Sequence, residues 1–162
     1  MKPINRRTFV KSSTLLAAGA ALPARSWGHV LGSSSDVRVA VIGLNGRGRN
    51  HLSSLSRIPG VRVVALCDPD SALLEKVKGE VNGGNVKTYV DMRDVFASQD
   101  IDAVTVATPN HWHSLAGIWA MQAGKDVYLE KPVSHNIWEG RQLVAASGKY
   151  NRIIQAAGIT AQ

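Results

Sequence analysis

Val37-Arg38-Val39-Ala40-Val41-Ile42-Gly43-Leu44-Asn45-Gly46-Arg47-Gly48 is an apolar, β-branched run that breaks into a glycine-rich turn. Val37–Ile42 reads as a strand, and its near-continuous apolar character indicates burial on both faces of a sheet. Gly43 and Gly48 match the outer glycines of G-x-G-x-x-G; Asn45 takes the middle position, with Gly46 beside it. The three positions serve distinct steric ends, namely a tight turn, close backbone approach to a diphosphate, and close packing of the next helix on the strand. Asn tolerates left-handed backbone angles better than most residues, so the turn survives the replacement. A diphosphate at Gly43, Asn45, Gly46 and Gly48 would sit on helix N-terminal amides, with Arg47 adding charge.

Working outward, the pattern alternates. Strand-like runs are expected at Val37–Ile42, Val61–Cys67, Ile101–Ala107, Asp126–Leu129 and Arg152–Gln155, with a weaker one at Val86–Tyr89. Helix-like stretches lie between them at Gly48–Arg57, Ser71–Val81, Met92–Ser98, His113–Ala123 and Ile137–Lys149. In the fourth helix Leu115, Ile118, Trp119 and Gln122 fall at i, i+3, i+4 and i+7, an apolar stripe with one polar exception. Gly60, Gly124 and Gly148 stand where helices are expected to stop. Such alternation predicts an α/β fold with a doubly wound, mostly parallel sheet of the Rossmann kind.

Asp68 ends the second strand, twenty residues past Gly48. A carboxylate there can accept hydrogen bonds from both hydroxyls of an adenosine ribose, and it repels a 2′-phosphate, favouring NAD over NADP. Arg47 could neutralise that phosphate, which keeps NADP open. Asp68-Pro69-Asp70 also has the composition of a plain turn. Ligands of open α/β sheets collect at the carboxyl ends of strands. Two further such ends carry polar residues: Ala107-Thr108-Pro109-Asn110-His111-Trp112-His113 and Glu130-Lys131-Pro132-Val133-Ser134.

The chain has 162 residues, 44% of them hydrophobic, with one cysteine, Cys67. That suits one domain with a real core and excludes an internal disulfide framework. No apolar run reaches the length of a membrane span. The formal charge of +7 suggests a nucleic-acid partner, but Lys2, Arg6, Arg7, Lys11 and Arg25 account for most of it. The rest of the chain holds 14 basic against 12 acidic side chains, so no nucleic acid is expected.

Asn5-Arg6-Arg7-Thr8-Phe9-Val10-Lys11, followed by a mildly apolar Ala- and Gly-rich segment and Pro23, has the form of a twin-arginine export signal over residues 1–27. It implies recognition by the twin-arginine translocase and a periplasmic or secreted location. Residues 28–35 read as a linker.

The motifs Val-Ile-Gly-Leu-Asn-Gly-Arg-Gly at 41–48, Cys-Asp at 67–68, Ala-Thr-Pro-Asn-His-Trp-His at 107–113 and Glu-Lys-Pro at 130–132 resemble the glucose–fructose oxidoreductase / inositol dehydrogenase (Gfo/Idh/MocA) family. The resemblance implies an NAD(P)-binding domain over residues 36–155 and hydride transfer on sugars, polyols or their derivatives. Carried over residue by residue, it implies that Gly43, Asn45, Gly46 and Gly48 hold the diphosphate and Asp68 the adenosine ribose. Thr108, Pro109 and Asn110 would line the nicotinamide-side ribose with His111 close by, Glu130 would contact the cofactor, and Lys131 would point at the reacting carbon. A cation there suits the chemistry, because it stabilises alkoxide charge as the hydroxyl proton departs. The pair Glu130-Lys131 also has a bland reading, as solvated residues at a strand end.

The resemblance implies a second α+β domain that supplies the substrate pocket and oligomer contacts, and no counterpart of it is expected in the residues after Gln155. The expectation is the cofactor half of an enzyme, with a truncated tail at 156–162 and negligible turnover alone. A non-catalytic NAD-binding or regulatory module and an inactive fragment are the alternatives. His111 and His113 lack a neighbouring carboxylate or cysteine, so no metal is expected. His113 is expected to start a helix, His51 and His135 to be surface or helix-start residues, and Trp112, Trp119 and Trp138 to serve packing.

Overall fold

The computed structural model describes residues 36–158. The expected leader, the linker through residue 35 and residues 159–162 lie outside the described residues. Six strands form a single sheet: β1 Val37–Ile42, β2 Val61–Cys67, β3 Lys87–Tyr89, β4 Ala103–Val106, β5 Asp126–Leu129 and β6 Ile154–Ala156. Their order is β3-β2-β1-β4-β5-β6, and every ladder is parallel. The chain winds outward from β1 to β3, returns to β4, and winds outward the other way. A crevice therefore opens between the carboxyl ends of β1 and β4.

The alternation within β1 shows why the strands are apolar throughout. Ala40 and Ile42 pack in one core with Phe96, Ala116, Met121 and Leu143, whereas Val41 packs in a second with Leu66, Leu74 and Val77. The first core lies under α3 (Met92–Ala97), α4 (Asn110–Gln122) and α5 (Ile137–Tyr150), and the second under α1 (Arg47–Leu55) and α2 (Ser71–Lys78). Each strand side chain of this kind, fully buried, contributes about 1.5–3 kcal/mol. A register shift between Val39 and Ala40 places an extra residue, Val64, in β2.

Helix starts follow local chemistry. Asp70 Oδ1 accepts from the amides of Ala72 (3.0 Å) and Leu73 (3.1 Å), and Asn136 Oδ1 accepts from Glu139 N at 2.9 Å. These side chains satisfy amides that a helix leaves without partners.

Three expectations are corrected. The fourth helix begins at Asn110, directly after Pro109, so His113 lies inside its first turn. Its buried face is His113, Ala116, Gly117, Ala120 and Met121, while Leu115 is 38% exposed. Close approach of α5 selects that face, since a Cβ on Gly117 would sit 2.8 Å from Leu143 Cδ2. Gly148 does not end the fifth helix, which runs on to Tyr150 and closes on Asn151 at φ 51°. Asn is the non-glycine residue best suited to that conformation.

Candidate functional site

The turn after β1 is built by backbone contacts that exclude side chains. Gly43 N donates to Cys67 O at 2.8 Å, joining the ends of β1 and β2. Gly43 has φ +83°, and a Cβ on it would lie 2.7 Å from Ala107 O. On Gly48 a Cβ would lie 1.8 Å from Gly43 O, so α1 rests directly on the turn. Gly46 caps α1 without a side-chain hydrogen bond, and no acid stands in the first turn. Asn45 does not take the left-handed angles its side chain would tolerate, which fall on Gly43 and Gly46 (φ 53°); its Oδ1 accepts from Gly46 N at 3.0 Å and braces the loop. The outcome is a helix N-terminus with no acid beside it, the setting in which helices receive anions, with Gly48 N turned to Asn45 O (3.3 Å) and Arg49 N to Gly46 O (3.2 Å).

Asp68 lies beside this turn and is 8% exposed. Its Oδ2 accepts from Leu44 N at 2.9 Å and its Oδ1 from Asp70 N at 3.0 Å. A carboxylate offers about four acceptor positions. Two backbone amides therefore orient Asp68 and leave capacity for two hydroxyls. The crevice beside it has a volume of about 620 Å³, within the range of small-molecule sites. Gly43, Asn45, Asp68, Thr108 and Pro109 line it, as do Arg93, Trp112 and Trp119. Thr108 Oγ1 is buried there without a hydrogen-bond partner. That orphaned hydroxyl, the spare acceptors of Asp68 and a turn with no room for a Cβ all fit a dinucleotide lying along the strand ends.

The other sequence candidates are distributed differently. Asn110 is exposed at the start of α4, and His111 is exposed with its ring 6.0 Å from that of Trp112. Neither is among the residues lining the crevice. Lys131 is exposed just past the end of β5. Glu130 is 4% exposed and also stands off the crevice wall. Its Oε1 accepts from Arg47 Nη2 (2.9 Å) and Nε (3.1 Å) and faces His51 Nε2 at 2.9 Å; its Oε2 accepts from Lys131 N at 3.1 Å. Burial works against ionisation of Glu130, and the hydrogen bonds from His51, Arg47 and the Lys131 amide outweigh it, holding the carboxyl below its usual range.

His51 is thus a buried partner of Glu130, not a surface residue. Its sequence signal was present: His51 follows Arg47 by four residues, so both fall on one face of α1. Arg47 is drawn to the β5 side. Asp68 ends β2, three strand positions away, or about 14 Å at ordinary strand spacing. In this arrangement Arg47 does not neutralise a phosphate held beside Asp68.

His113 is 2% exposed, with Nδ1 2.6 Å from Pro132 O and Nε2 2.8 Å from Thr108 O. It joins the β4 and β5 loops from within α4. Trp112 and Trp119 line the crevice; Trp119 also packs against the core, and Trp138 is 68% exposed, so packing describes only part of the three. Cys67 is buried, and burial first, then Asp68, pushes its thiol up to about 12. Among the described residues no cluster of three or more His, Cys, Asp or Glu side chains is arranged to hold a metal.

The sequence model of the Gfo/Idh/MocA oxidoreductase family, NAD-binding Rossmann fold, matches residues 37–157. The chain is 32% identical to glycosyl hydrolase family 109 protein 2 of Shewanella sp. (strain ANA-3), over 89% of this chain and 37% of that protein. It is 35% identical to inositol 2-dehydrogenase 1 of Saccharopolyspora erythraea, over 68% of this chain and 36% of the relative. Among solved structures, myo-inositol 2-dehydrogenase from Lactobacillus plantarum superposes with a TM-score of 0.70 at 33% identity, covering 76% of this chain and 36% of that one. The scyllo-inositol dehydrogenase of Lactobacillus casei, with bound NAD(H) and scyllo-inositol, shares the fold at 24% identity and a TM-score of 0.70. The chain spans little more than a third of the length of these relatives. It belongs to the Gfo/Idh/MocA oxidoreductase family and carries that family's NAD-binding Rossmann domain.

Proposed function

We propose that this member of the Gfo/Idh/MocA family serves an oxidoreductase that moves hydride to or from a sugar, polyol or derivative, with NAD laid along the carboxyl rim of its sheet. The carrying observation is the pairing of the Gly43–Gly48 turn with Asp68, whose carboxylate is fixed by Leu44 N and Asp70 N. In this reading the α1 amides receive the diphosphate and Asp68 accepts from the adenosine ribose hydroxyls. Thr108 Oγ1 and Pro109 meet the nicotinamide half. When bound, the coenzyme supplies the hydride acceptor or donor. Lys131, beyond the end of β5, brings a cation to the reacting oxygen and stabilises charge as the hydroxyl proton departs. The substrate pocket belongs to a further domain, as does any oligomer contact.

Asp68 presents a carboxylate where a 2′-phosphate would fall, and Arg47 is engaged by Glu130 on the β5 side, three strands from β2. Both features support NAD over NADP. The similarity to a glycosyl hydrolase family 109 protein supports a second reading in which the same seat serves glycoside cleavage. With the domain joined to a substrate domain, net NADH accumulation with a polyol separates dehydrogenation from cleavage, which leaves the coenzyme pool unchanged. We further propose export through the twin-arginine translocase to the periplasm or beyond, on the strength of Arg6-Arg7 and the acid-free first 35 residues.

Titration of the chain with NADH, followed by nicotinamide fluorescence, tests the seat. Saturable enhancement, competed by NAD, is expected; an unchanged spectrum at millimolar coenzyme overturns the reading. Replacing Arg6 and Arg7 with Lys tests export, with retention inside the cell expected.

A further inference from the structure

We infer that Glu130 is a positioning residue that ties the diphosphate turn to Lys131, and that it does not contact the coenzyme. The inference rests on the proposed seat for NAD and reassigns one of its residues.

Direction of the side chain is the first argument. Glu130 leaves the end of β5 and turns away from the crevice toward α1, where Arg47 and His51 meet it from successive turns. Oε1 is thereby occupied by three donor atoms, and Oε2 returns to the amide of Lys131. With 4% of its surface exposed, Glu130 has little left to offer a ligand.

Connectivity is the second. Arg47 is the first residue of α1, adjacent to the capping Gly46, so its anchor fixes the helix end that presents the amides. Lys131 is the next residue after Glu130, and Glu130 N donates to Val106 O at 2.9 Å, which also holds the β5 end against β4. One carboxylate therefore joins the first residue of α1 to the residue that follows it past the end of β5. His51 completes the set: its Nε2 carries the proton toward Glu130, its Nδ1 is buried without a partner, and its ring edge meets Tyr128 at 5.5 Å.

The test uses the full 162-residue chain with Glu130→Gln, Arg47→Ala and the double variant. NADH affinity is measured by fluorescence, and exchange of the Lys131 amide is measured by NMR without coenzyme. Each single variant is expected to weaken NADH binding about tenfold, and the double variant no further, because both break one tie. Arg47→Ala is also expected to speed exchange at Lys131, which is remote in sequence. Losses that multiply in the double variant would mean independent coenzyme contacts and would overturn the inference. So would unchanged affinity and exchange accompanied only by a lower melting temperature. Arg47 is 62% exposed, so truncating it opens no cavity in the core, and melting curves of both variants are recorded beside the titrations. Should the unsubstituted chain fail to bind NADH, the proposed function falls, and the exchange measurement still decides whether the tie exists.

Discussion

Replacing Gly48 with Ala should damage both the fold and the coenzyme seat, and the size of the effect follows from the backbone. The added methyl would sit 1.8 Å from Gly43 O and 2.8 Å from Gly43 C, where a real Cβ needs at least 3.0 Å. The turn and helix must part by more than 1 Å, and neither contact atom is the tip of a flexible side chain. Gly43 cannot retreat, because it abuts the Ala107 carbonyl and is bonded through its amide to Cys67 O. The strain therefore falls on α1, whose first residue is anchored to Glu130. Overpacking of this kind costs about 1–3 kcal/mol, and a backbone-on-backbone clash belongs at the upper end. For a domain of this size that lowers Tm by roughly 10 °C. Misplacing one amide donor to a charged oxygen forfeits about 1.5–3 kcal/mol, or roughly 10- to 100-fold in NADH affinity. Thermal melts with and without NADH, together with a fluorescence titration, read both effects. Gly148→Ala is the control: its Cβ meets open space inside α5, and a gain of about 0.5–1 kcal/mol is expected. A Gly48→Ala chain that melts normally refutes the close approach; one that melts early but binds NADH unchanged refutes the seat.

Asp68→Asn should cost about 1–3 kcal/mol, because the new amide group must face Leu44 N or Asp70 N, donor against donor. It should also narrow the preference for NADH over NADPH; parallel titrations giving an unaltered ratio would remove Asp68 from the ribose. Cys67, with its thiol pushed up to about 12 by burial and then by Asp68, should resist iodoacetamide at pH 8 until the domain opens. Labelling at the rate of an exposed thiol would contradict the buried placement. Hydrogen bonds from the Arg93 side chain and amide hold the Asp91 carboxyl at about 2, below its unfolded value of roughly 3.9. Its contribution is then fully present above about pH 4 and lost as pH falls through about 2. Asp91→Ala should flatten that stretch of the melting-temperature profile, and a profile of unchanged shape would show that the pair does not matter.

Much of the fold was legible because near-continuous apolar runs such as β1 and β2 alternate in order with helix-like stretches, an order that a covered parallel sheet explains. The misjudged helix face shows where periodicity stops being informative. Leu115, Ile118 and Trp119 form the more apolar stripe of α4, yet Ala116, Gly117 and Ala120 are buried deeper, since small side chains permit the approach of α5. Gly148 misled for a related reason: glycine ends helices only where the backbone must turn left-handed, and Asn151 took that position. At the site, motifs identified residue types at strand ends but not the direction of their side chains. Asp68 and Glu130 are both buried carboxylates at such ends; one faces the crevice with acceptor capacity to spare, and the other turns behind it and is saturated.

That difference decides how the site handles negative charge. Arg93 in the crevice wall is engaged with Asp91, and the two arginines at the start of α1 are engaged elsewhere, Arg47 with Glu130 and Arg49 with Glu80. A diphosphate arriving at the turn therefore meets no uncommitted guanidinium among them. In the proposed seat its charge falls to the backbone of the turn and the helix dipole, which act over the first turn only and demand near-contact distance. Near contact is what the missing Cβ atoms of Gly43 and Gly48 permit. In the proposed seat the glycines, the saturated Glu130 and the oriented Asp68 serve one requirement: an anion held by backbone that packing and hydrogen bonds have already fixed, not by mobile side-chain charge.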